Sequence, residues 1–525
     1  LGMNFHYSED GGKTFRAMRY SIHVDNHAIW VNPSDNNQII VGNDGGIGQT
    51  RDRGATWQHF NNIPVGQFYA TTYDMRRPYW VYGGLQDNGS WATPTQSARG
   101  RIGWWEAEGW NDSDGFHVQV DPTDWRTVYW ESQGGGLIRW DQEKRTYSGA
   151  AKMDRKGARF NWSSPFILSP HNPRTLYFGG NKLYKSVDRG DHWRTISPDL
   201  TTNNPDQINQ GEGPIAAMKS GAEQHCTIIT ISESPKTQGL LWVGTDDGLV
   251  HCSQDDGATW TNVTANIPGL PAGLWCSRVR ASRFVEGRCY ATFDGHRSND
   301  FKPYLYVTED FGKTWTPLVT GLTDFDSLYC VTEGQQNPDL LYLGSEMSLR
   351  FSLDRGKTWS KFQGMPTAAM HDLIVHPREL DLIVATHGRS LWSIDVSGLE
   401  QLTTEAQKEE FALFKPQDVL SFNSTSNFEW SGDQNWFVPN TQPGTRIFFY
   451  SKSELKDELK FKVLDVKGDT VAELTSKVKA GLNAIEWKGT MTGRPRATPG
   501  LYKIVVSFKG KDYATTVTVD DKLDL

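Results

Sequence analysis

Acidic and tryptophan side chains concentrate in one stretch of the chain, residues 101–117, which reads RIGWWEAEGWNDSDGFH. Tryptophan faces can stack on the apolar faces of sugar rings, and carboxylates can bind sugar hydroxyl groups. Two carboxyl groups flanking a glycosidic bond would act as acid and as base or nucleophile, about 5–5.5 Å or about 6.5–9.5 Å apart. We therefore predict a sugar site here, with Asp114 as the catalytic candidate and Asp112 or Glu131 as its partner.

The other side chains of this stretch fit either of two interpretations. As ligand-binding groups, the candidates are Trp104, Trp105, Trp110 and Glu106. As structural groups, the tryptophans would pack between neighbouring elements and the acids would form turns or a solvated rim. The stretch should precede the inner strand of a repeat unit, which would open it near the axis of the fold.

Further candidate binding groups are scattered along the chain, and each has a structural alternative. These candidates are His27 with Trp30, Asp87, His387 and Arg389. The loops at residues 43–46 and 86–89 carry carboxylate and amide oxygens that could hold calcium, although turn formation explains both as well. No other metal, no cofactor and no nucleophilic triad is indicated, and no glycine-rich loop has the spacing that binds nucleotides.

Composition limits the class of protein. The 525 residues carry 54 basic and 62 acidic side chains, so the net charge of −8 argues against nucleic-acid binding. No apolar run is long enough to span a membrane. The 51 glycines, 21 tryptophans and 18 tyrosines are typical of an all-β protein. Five cysteines without CxxC spacing indicate neither a disulfide framework nor a zinc site, although one or two bridges are conceivable.

An eight-residue pattern, Ser/Thr-x-Asp-x-Gly-x-x-aromatic, recurs six times along the chain. The copies lie at residues 8–15, 50–57, 186–193, 253–260, 308–315 and 352–359. Each is predicted to be a hairpin, because its Asp can accept backbone N–H groups and its Gly can take the positive φ of a tight turn. Six copies of one Asp favour a structural use over a catalytic one.

Short apolar strands recur every roughly 40–50 residues, which is the period of a propeller blade. Eight units lie between about residues 20 and 397, and the last has no fourth strand of its own. Residues 14–21 could supply that strand, or residues 1–20 could finish a preceding blade, so the ring has seven or eight blades. We expect a propeller over 21–397, a linker over 398–444 with a short helix at 403–413, and a β-sandwich over 445–525.

The repeated hairpins resemble the Asp-boxes, or bacterial neuraminidase repeats, of sialidases, xyloglucanases and sortilin-type propellers. Residues 25–30, 43–46, 65–69, 82–91 and 386–390 are similar to a bacterial group labelled sortilin-like or glycosyl hydrolase. The tail resembles the immunoglobulin-like domain of flagellar hook-capping proteins, through residues 480–487 and 499–502. That group consists of tandem propellers, so the resemblance implies that this chain is the C-terminal half of a longer protein.

The resemblance implies a periplasmic, cell-surface or secreted protein. The function that we expect first is that of a binding or scaffolding module for a glycan, a peptide or a partner protein. The candidate partner proteins are the other propeller half and subunits of a surface complex. The alternative is a xyloglucanase-like glycoside hydrolase with paired carboxylates. A sialidase is disfavoured, because the Arg-Ile-Pro type motif of that family is not found in this sequence.

Overall fold

A computed structural model describes residues 3, 5–18, 21–110, 113–150, 153, 155–210, 224–421, 435–440, 444–491 and 496–523. The described chain is almost entirely β-structure, in a propeller followed by a small β-sandwich, as predicted. The short helical segments are Trp104–Glu106, Pro205–Gln210, Thr264–Asn266, His296–Ser298, Ser397–Gln401 and Ala406–Lys408. No helix in these residues is long and apolar enough to cross a membrane.

Seven antiparallel sheets, here named blades I to VII, form the propeller ring. Their strands run outward from the inner strand in chain order. Blade I consists of Phe68–Tyr73, Trp80–Leu85, Gly89–Pro94 and Glu108–Trp110, blade II of Val118–Asp121, Asp124–Ser132, Gly136–Asp141 and Thr146–Gly149, blade III of Phe166–Leu168, Leu176–Gly179, Leu183–Ser186 and Arg194–Thr195, and blade IV of Ile228–Glu233, Leu241–Thr245, Val250–Ser253 and Thr261–Asn262.

The remaining three blades complete the series. Blade V consists of Trp275–Ala281, Cys289–Gly295, Asp300–Thr308 and Thr316–Pro317, blade VI of Leu328–Glu333, Leu341–Ser345, Leu349–Ser352 and Ser360–Lys361, and blade VII of Met370–Val375, Asp381–Thr386 and Leu391–Asp395. Each inner strand contacts that of the next blade, and the inner strand of blade VII contacts that of blade I. The ring therefore closes with seven blades.

Side chains and loops close the ring between blades I and VII. Tyr79 Oη donates to Asp381 Oδ2 at 2.9 Å. The Arg378 guanidinium donates to the carbonyl oxygens of Met75 at 2.8 Å and Arg76 at 2.7 Å. Of the two alternatives for the N-terminal segment, the closing strand is not seen in the described part of residues 14–21, because Arg16–Ala17 pairs with His6–Tyr7. In the described residues, blade VII has three strands and shares none with blade I.

An eighth sheet lies outside the ring, and we call it the outlying sheet. Its strands are Asn26–Val31, Ile39–Asn43, Gly46–Thr50 and Gln58–His59. Phe5 buries Val41 and Ile39 on one face, and the inner strand keeps Trp30 50% exposed. The sequence pattern of this sheet is that of a blade, so the sequence predicts eight units where the ring has seven blades.

The six repeated hairpins share one hydrogen-bond pattern. In the copy at 50–57, Thr50 Oγ1 donates to Asp52 and accepts the N–H of Gly54, while Asp52 accepts both the N–H and the hydroxyl of Thr56. The Thr56 hydroxyl is the main cause that lowers the pKa of Asp52 to about 2. Gly54 has a φ of 86°, which explains why this position is glycine. These aspartates therefore build turns.

The C-terminal sandwich packs a three-stranded sheet on a five-stranded sheet. The first sheet consists of Phe411–Leu413, Thr445–Ser451 and Gly481–Trp487, and the second of Val419–Leu420, Lys511–Asp520, Gly500–Phe508, Leu459–Leu464 and Thr470–Ser476. Instead of the predicted helix over 403–413, one helical turn at Ala406–Lys408 precedes a strand that begins at Phe411. Phe411 is buried in the sandwich core, and this burial favours the strand over a continued helix.

The linker segment also touches the propeller. Phe437–Pro439 pairs with Arg101–Gly103 as a small separate sheet at the outer side of blade I. The five cysteines are all buried and free, so none forms a disulfide bond.

Candidate functional site

The loops that enter each blade and the loops between its second and third strands emerge at the same end of the ring. Antiparallel strands alternate in direction, so these two kinds of loop must share one end. A cluster of polar and aromatic side chains lies at this end, on loops and inner strands of blades I, II, III and VII. We call it the mouth, and its members are Tyr69, Asp87, Asp114, Gln133, Trp162, His371 and His387.

A pair of carboxyl groups forms the acidic side of the mouth. Asp114 is 4% exposed, and its Oδ1 accepts the backbone N–H of Asp87 at 2.7 Å. Its Oδ2 accepts the side-chain amide of Gln133. The Asp87 carboxyl lies within hydrogen-bonding reach of Asp114, and its pKa is raised to about 6, first by burial and then by the charge of Asp114. The sequence candidate Asp114 therefore has Asp87 as its partner.

Tyr69 stands beside this pair on the inner strand of blade I. Its hydroxyl donates to the Gln86 side chain and accepts a hydrogen bond from Trp162. Burial, followed by the charge of Asp114, raises the pKa of Tyr69 well above its usual range. Its ring centroid lies 4.8 Å from that of Phe116. The phenol and the two carboxyl groups thus form one polar cluster beside aromatic rings.

Two stacked histidines continue the wall across the seam between blades VII and I. The rings of His371 and His387 are 4.2 Å apart and within 2° of parallel. Burial is the main cause that lowers the pKa of both, so the stack is uncharged near neutral pH. Tyr69 packs on His387 at 4.9 Å, and Tyr329 of blade VI packs on His371 at 4.6 Å. An aromatic surface therefore extends from the carboxyl pair to blade VI.

The arrangement is suited to binding polar groups between aromatic faces. Carboxylates in hydrogen-bonding reach of each other share one proton, and the pair then offers both donors and acceptors. The two carboxyl groups are closer together than the pairs that flank a glycosidic bond in glycosidases. Asp87 and Asp114 alone therefore lack the separation that either hydrolytic mechanism requires.

Glu131 does not reach the mouth. Its side chain is fully buried, and Oε1 accepts the backbone N–H groups of Gly135 and Ser164, both at 3.2 Å. Burial raises its pKa well above the usual value. The prediction that Glu131 partners Asp114 in catalysis is therefore wrong, because a sealed carboxyl cannot touch a ligand. Asp112 lies outside the described residues.

The tryptophan-rich stretch lies at the outer rim, because Glu108–Trp110 is the outermost strand of blade I. Three strand spacings, about 14 Å in all, separate this strand from the inner strand. Trp110 is buried and stacks on Tyr82. Trp104 is exposed beside Trp105 in a single helical turn, and Glu106 accepts the Ser97 hydroxyl at 2.9 Å. Only residues 113–117 lead to the mouth, so the expected axial position of the tryptophans is wrong.

The other sequence candidates separate into two places. His387 lies in the mouth, and Arg389 follows it on the same loop with an exposed side chain. His27 and Trp30 lie on the outlying sheet, where His27 Nε2 is 2.8 Å from Asp44 Oδ1. The outlying sheet nevertheless approaches the mouth, because His23 Nε2 lies 2.9 Å from the carbonyl oxygen of Asp87.

Four members of the mouth were missed from the sequence, namely Tyr69, Gln133, Trp162 and His371. Tyr69 and His371 lie on inner strands, where a polar residue in an apolar run was the available signal. Gln133 and Trp162 lie in glycine- and serine-rich loops without any distinguishing pattern. Across the described ranges, no group of three or more histidine, cysteine, aspartate or glutamate side chains could hold a metal ion.

Comparison with known proteins gives limited similarity. No protein-family profile matches the chain. A probable oligoxyloglucan-reducing end-specific xyloglucanase of Neosartorya fischeri is 22% identical over 226 residues, which cover 39% of this chain and 27% of that protein. The corresponding xyloglucanase of Emericella nidulans is 22% identical over 229 residues, with the same two coverages, 39% and 27%. The aligned part thus spans about a quarter of the length of these relatives.

Several solved structures are similar to this chain at low sequence identity. A xyloglucanase of glycoside hydrolase family 74 from Xanthomonas campestris has a TM-score of 0.46 and 14% identity, covering 87% of each chain. The extracellular domain of a one-component system from B. thetaiotaomicron has a TM-score of 0.44 and 12% identity, covering 98% of this chain and 67% of that one. PorZ of Porphyromonas gingivalis, a surface component of the type-IX secretion system, has a TM-score of 0.41 and 9% identity, covering 99% and 68%.

Proposed function

We propose that this protein is an extracytoplasmic β-propeller module that binds a glycan at the mouth of its ring. The carboxyl pair of Asp87 and Asp114, set beside Tyr69 and Trp162, is the observation that carries the proposal. Sugars present hydroxyl groups in the ring plane and apolar C–H faces above it. Carboxyl groups and aromatic rings are complementary to these two kinds of surface.

The protonation of the pair supports binding at mildly acidic pH. With the Asp87 pKa at about 6, the pair holds one proton below that pH and offers a donor together with acceptors. A sugar diol could then donate to one carboxyl and accept from the other. Above that pH Asp87 loses its proton, and the repulsion from the charge of Asp114 must be offset by the ligand or by a cation.

Xyloglucan oligosaccharides are the ligand class that we propose first. Both curated relatives are named for action on the reducing ends of oligoxyloglucans, and the aligned stretch covers 39% of this chain. The shared stretch is compatible with a common sugar-binding surface. We assign the ligand class from this similarity and the binding role from the geometry of the mouth.

Isothermal titration calorimetry of the full chain with a panel of oligosaccharides, xyloglucan fragments included, tests the proposal. We expect binding at pH 5.5 that Asp114→Asn weakens at least tenfold. Asp124→Asn is the matched control, since Asp124 carries the same change at the end of blade II opposite the mouth. Binding that Asp114→Asn leaves unchanged, or no binding across the panel, would refute the glycan site at the mouth.

The second candidate function is hydrolysis of a glycan, and Asp44 favours it. Asp44 lies on the outlying sheet, where its carbonyl oxygen accepts the Asn88 side-chain amide at 3.0 Å, and its charge contributes to the raised pKa of Asp87. The Asp44 carboxylate would then be the opposed group that the Asp87–Asp114 pair lacks. Release of new reducing ends that both Asp44→Asn and Asp114→Asn abolish would establish the hydrolase, whereas binding without release would favour the module.

The scaffolding part of the proposal rests on the outlying sheet. Its inner strand exposes Ile29, Trp30 and Val31, while every ring blade packs its inner strand against neighbours. We infer that this sheet is one blade of a second propeller whose other blades come from a partner polypeptide. A photo-cross-linker at position 30 should label a sheet with the same hairpin pattern, whereas one at Trp104 should not. Labelling of this chain's own ring from position 30 would contradict the inference.

A further inference from the structure

One strand of blade V places arginine side chains in the central channel of the ring. Arg278 and Arg280 occupy alternate positions of Trp275–Ala281, so their side chains leave the strand on the same side. Arg278 Nη2 donates to the carbonyl oxygen of His371 at 3.1 Å and lies 3.0 Å from Asp372 Oδ1. Because His371 and Asp372 belong to blade VII, the side chains of this strand reach across the channel.

Arg280 lies deeper in the channel, and few negative charges offset the charge of its guanidinium group. Its Nε is sealed from solvent and has no acceptor among the described residues. The charges that act on it most strongly are those of Arg278, Arg283 and Asp372. Burial, followed by the charge of Arg278, lowers the pKa of the Arg280 guanidinium, and Asp372 opposes this. The residue as a whole is half-buried.

Asp372 is already engaged and cannot balance all of this charge. Its Oδ1 pairs with Arg278, and its Oδ2 accepts the backbone N–H of Thr71 at 3.1 Å. Arg283 reaches the neutral side chain of Gln335. The guanidinium groups of Arg278 and Arg280 thus lie near one carboxylate, and the charge of Arg283 also acts on Arg280. Uncompensated buried cations are strongly unfavourable, and such a site attracts a counter-ion.

The walls of the channel at this depth also offer a polar group. Tyr73 of blade I lies close enough that Arg283 and Arg280 act on its hydroxyl, although burial raises the pKa of that group to about 12. It therefore stays protonated at neutral pH and can donate a hydrogen bond. Guanidinium N–H groups are weakly hydrated and arranged as a fork, which suits chloride and oxyanions.

We propose that the central channel binds one small inorganic anion, chloride or a tetrahedral oxyanion, between Arg280 and Arg278 with the Tyr73 hydroxyl as a further donor. The anion completes the charge balance of the ring interior. This site is separate from the carboxyl pair of the mouth and does not depend on the proposed glycan binding.

Thermal unfolding of the full chain at constant ionic strength tests this proposal. Chloride, sulfate and phosphate would each replace the bulky anion gluconate, and the midpoint would be followed from about 1 to about 100 mM of the small anion. We expect at least one of them to raise the midpoint by about 2 °C or more, because ligands of the native state stabilise it. Which anion acts most strongly distinguishes chloride from the oxyanions.

Three variants test whether the anion-specific rise of the unfolding midpoint depends on Arg280. Arg280→Met should lose the anion-specific rise and should unfold at the same or a higher temperature than the parent chain in gluconate, since an unbalanced charge has been removed. Arg280→Lys should keep part of the rise. Arg126→Met, which removes an exposed arginine near the start of the second strand of blade II, should respond as the parent chain does.

Line broadening in the ³⁵Cl spectrum provides a readout that does not require a variant to fold. The parent chain should broaden the free chloride signal, and sulfate or phosphate should reverse this if they share the site. Equal responses of the parent chain to gluconate and to every small anion, together with an unbroadened chloride line, would overturn the proposal. So would an Arg280→Met variant that keeps the full anion-specific rise.

Discussion

The Oδ1 atom of Asp114, in the loop that enters blade II, accepts the backbone N–H of Asp87 in blade I at 2.7 Å. One carboxylate thus fixes the position of another across the boundary between two blades. Asp87 has a φ of 57°, a conformation that a short polar side chain tolerates better than most. The bond from Asp114 holds that conformation and sets the spacing of the carboxyl pair.

This relationship predicts how stability depends on pH. The Asp87 pKa is about 6 in the folded chain and about 3.8 when unfolded, so the native state binds the proton more tightly. Its contribution is fully present below about pH 4 and is lost as the pH rises through about 6. Asp114→Asn removes the neighbouring charge, and the Asp87 pKa should then fall towards its ordinary value.

Carboxyl resonances followed by NMR over pH 3–8 measure this shift directly. Asp114→Asn keeps an oxygen that can accept the Asp87 N–H, so the loop should hold its position. Asp124→Asn should leave the Asp87 titration unchanged. An Asp87 titration that is the same in the parent chain and in Asp114→Asn would show that burial alone raises this pKa.

Ring closure depends on Arg378. Its guanidinium donates to two carbonyl oxygens of blade I, those of Met75 and Arg76. Arg378→Met should lower the free energy of unfolding by about 3 kcal/mol, because hydrogen bonds to charged groups contribute about 1.5–3 kcal/mol each. Denaturant unfolding measures the loss, and hydrogen exchange should increase first in the inner strands of blades I and VII.

A matched control for this variant is Arg355→Met. Arg355 is half-exposed and pairs with Asp339 within blade VI at 3.0 Å. Exposed ion pairs contribute about 0–1 kcal/mol, so the control should unfold near the parent midpoint. Similar losses of unfolding free energy in the two variants would mean that the Arg378 hydrogen bonds at the seam contribute no more to stability than an exposed ion pair does.

Tryptophans of the repeated hairpins join neighbouring blades. Trp359 Nε1 of blade VI donates to the carbonyl oxygen of Leu318, which follows the outer strand of blade V, at 2.9 Å. Trp359→Phe should cost about 1 kcal/mol from the lost hydrogen bond, in addition to the smaller ring. Trp104→Phe, at an exposed position, should cost almost nothing in the same denaturant titration. An unchanged midpoint for Trp359→Phe would mean that the inter-blade hydrogen bond does not contribute to stability.

The cysteines predict behaviour under oxidation and reduction. All five are buried and free, and burial raises the pKa of the Cys252, Cys276 and Cys289 thiols. A thiol-specific reagent should therefore label the native chain slowly and all five sites after denaturation. Reducing agent should leave the unfolding midpoint unchanged, whereas a lowered midpoint would indicate a disulfide bond in solution.

The fold was predictable from the sequence, because each blade repeats the same local chemistry. The Asp–Gly hairpins and the short apolar strands are set by residues close together in the chain, so they form in the same way in every blade. Tertiary contacts between sheets, and not local sequence, determine which sheets close the ring. The outlying sheet carries the same hairpin at residues 50–57 as the ring blades, so no local pattern separates it from them.

The site was predictable only in part, for a similar reason. Asp114 was found because it lies in an acidic loop, but its partner Asp87 is 27 residues away and reaches it through loop geometry. Trp110 was misplaced because a tryptophan looks the same in a sugar site and in a packed outer strand. The difference lies in its contact with Tyr82, which the sequence does not reveal.

We expect the seam between blades I and VII to form last during folding. Tyr79 and Asp381, which meet there, are 302 residues apart along the chain. Every other junction of the ring joins blades that are adjacent in sequence, so an open arc can grow one blade at a time with modest loss of loop entropy. Closure must wait for the last blade to emerge. Until then the sides of blades I and VII that will meet at the seam stay exposed. Chaperones or another copy of the chain can bind them.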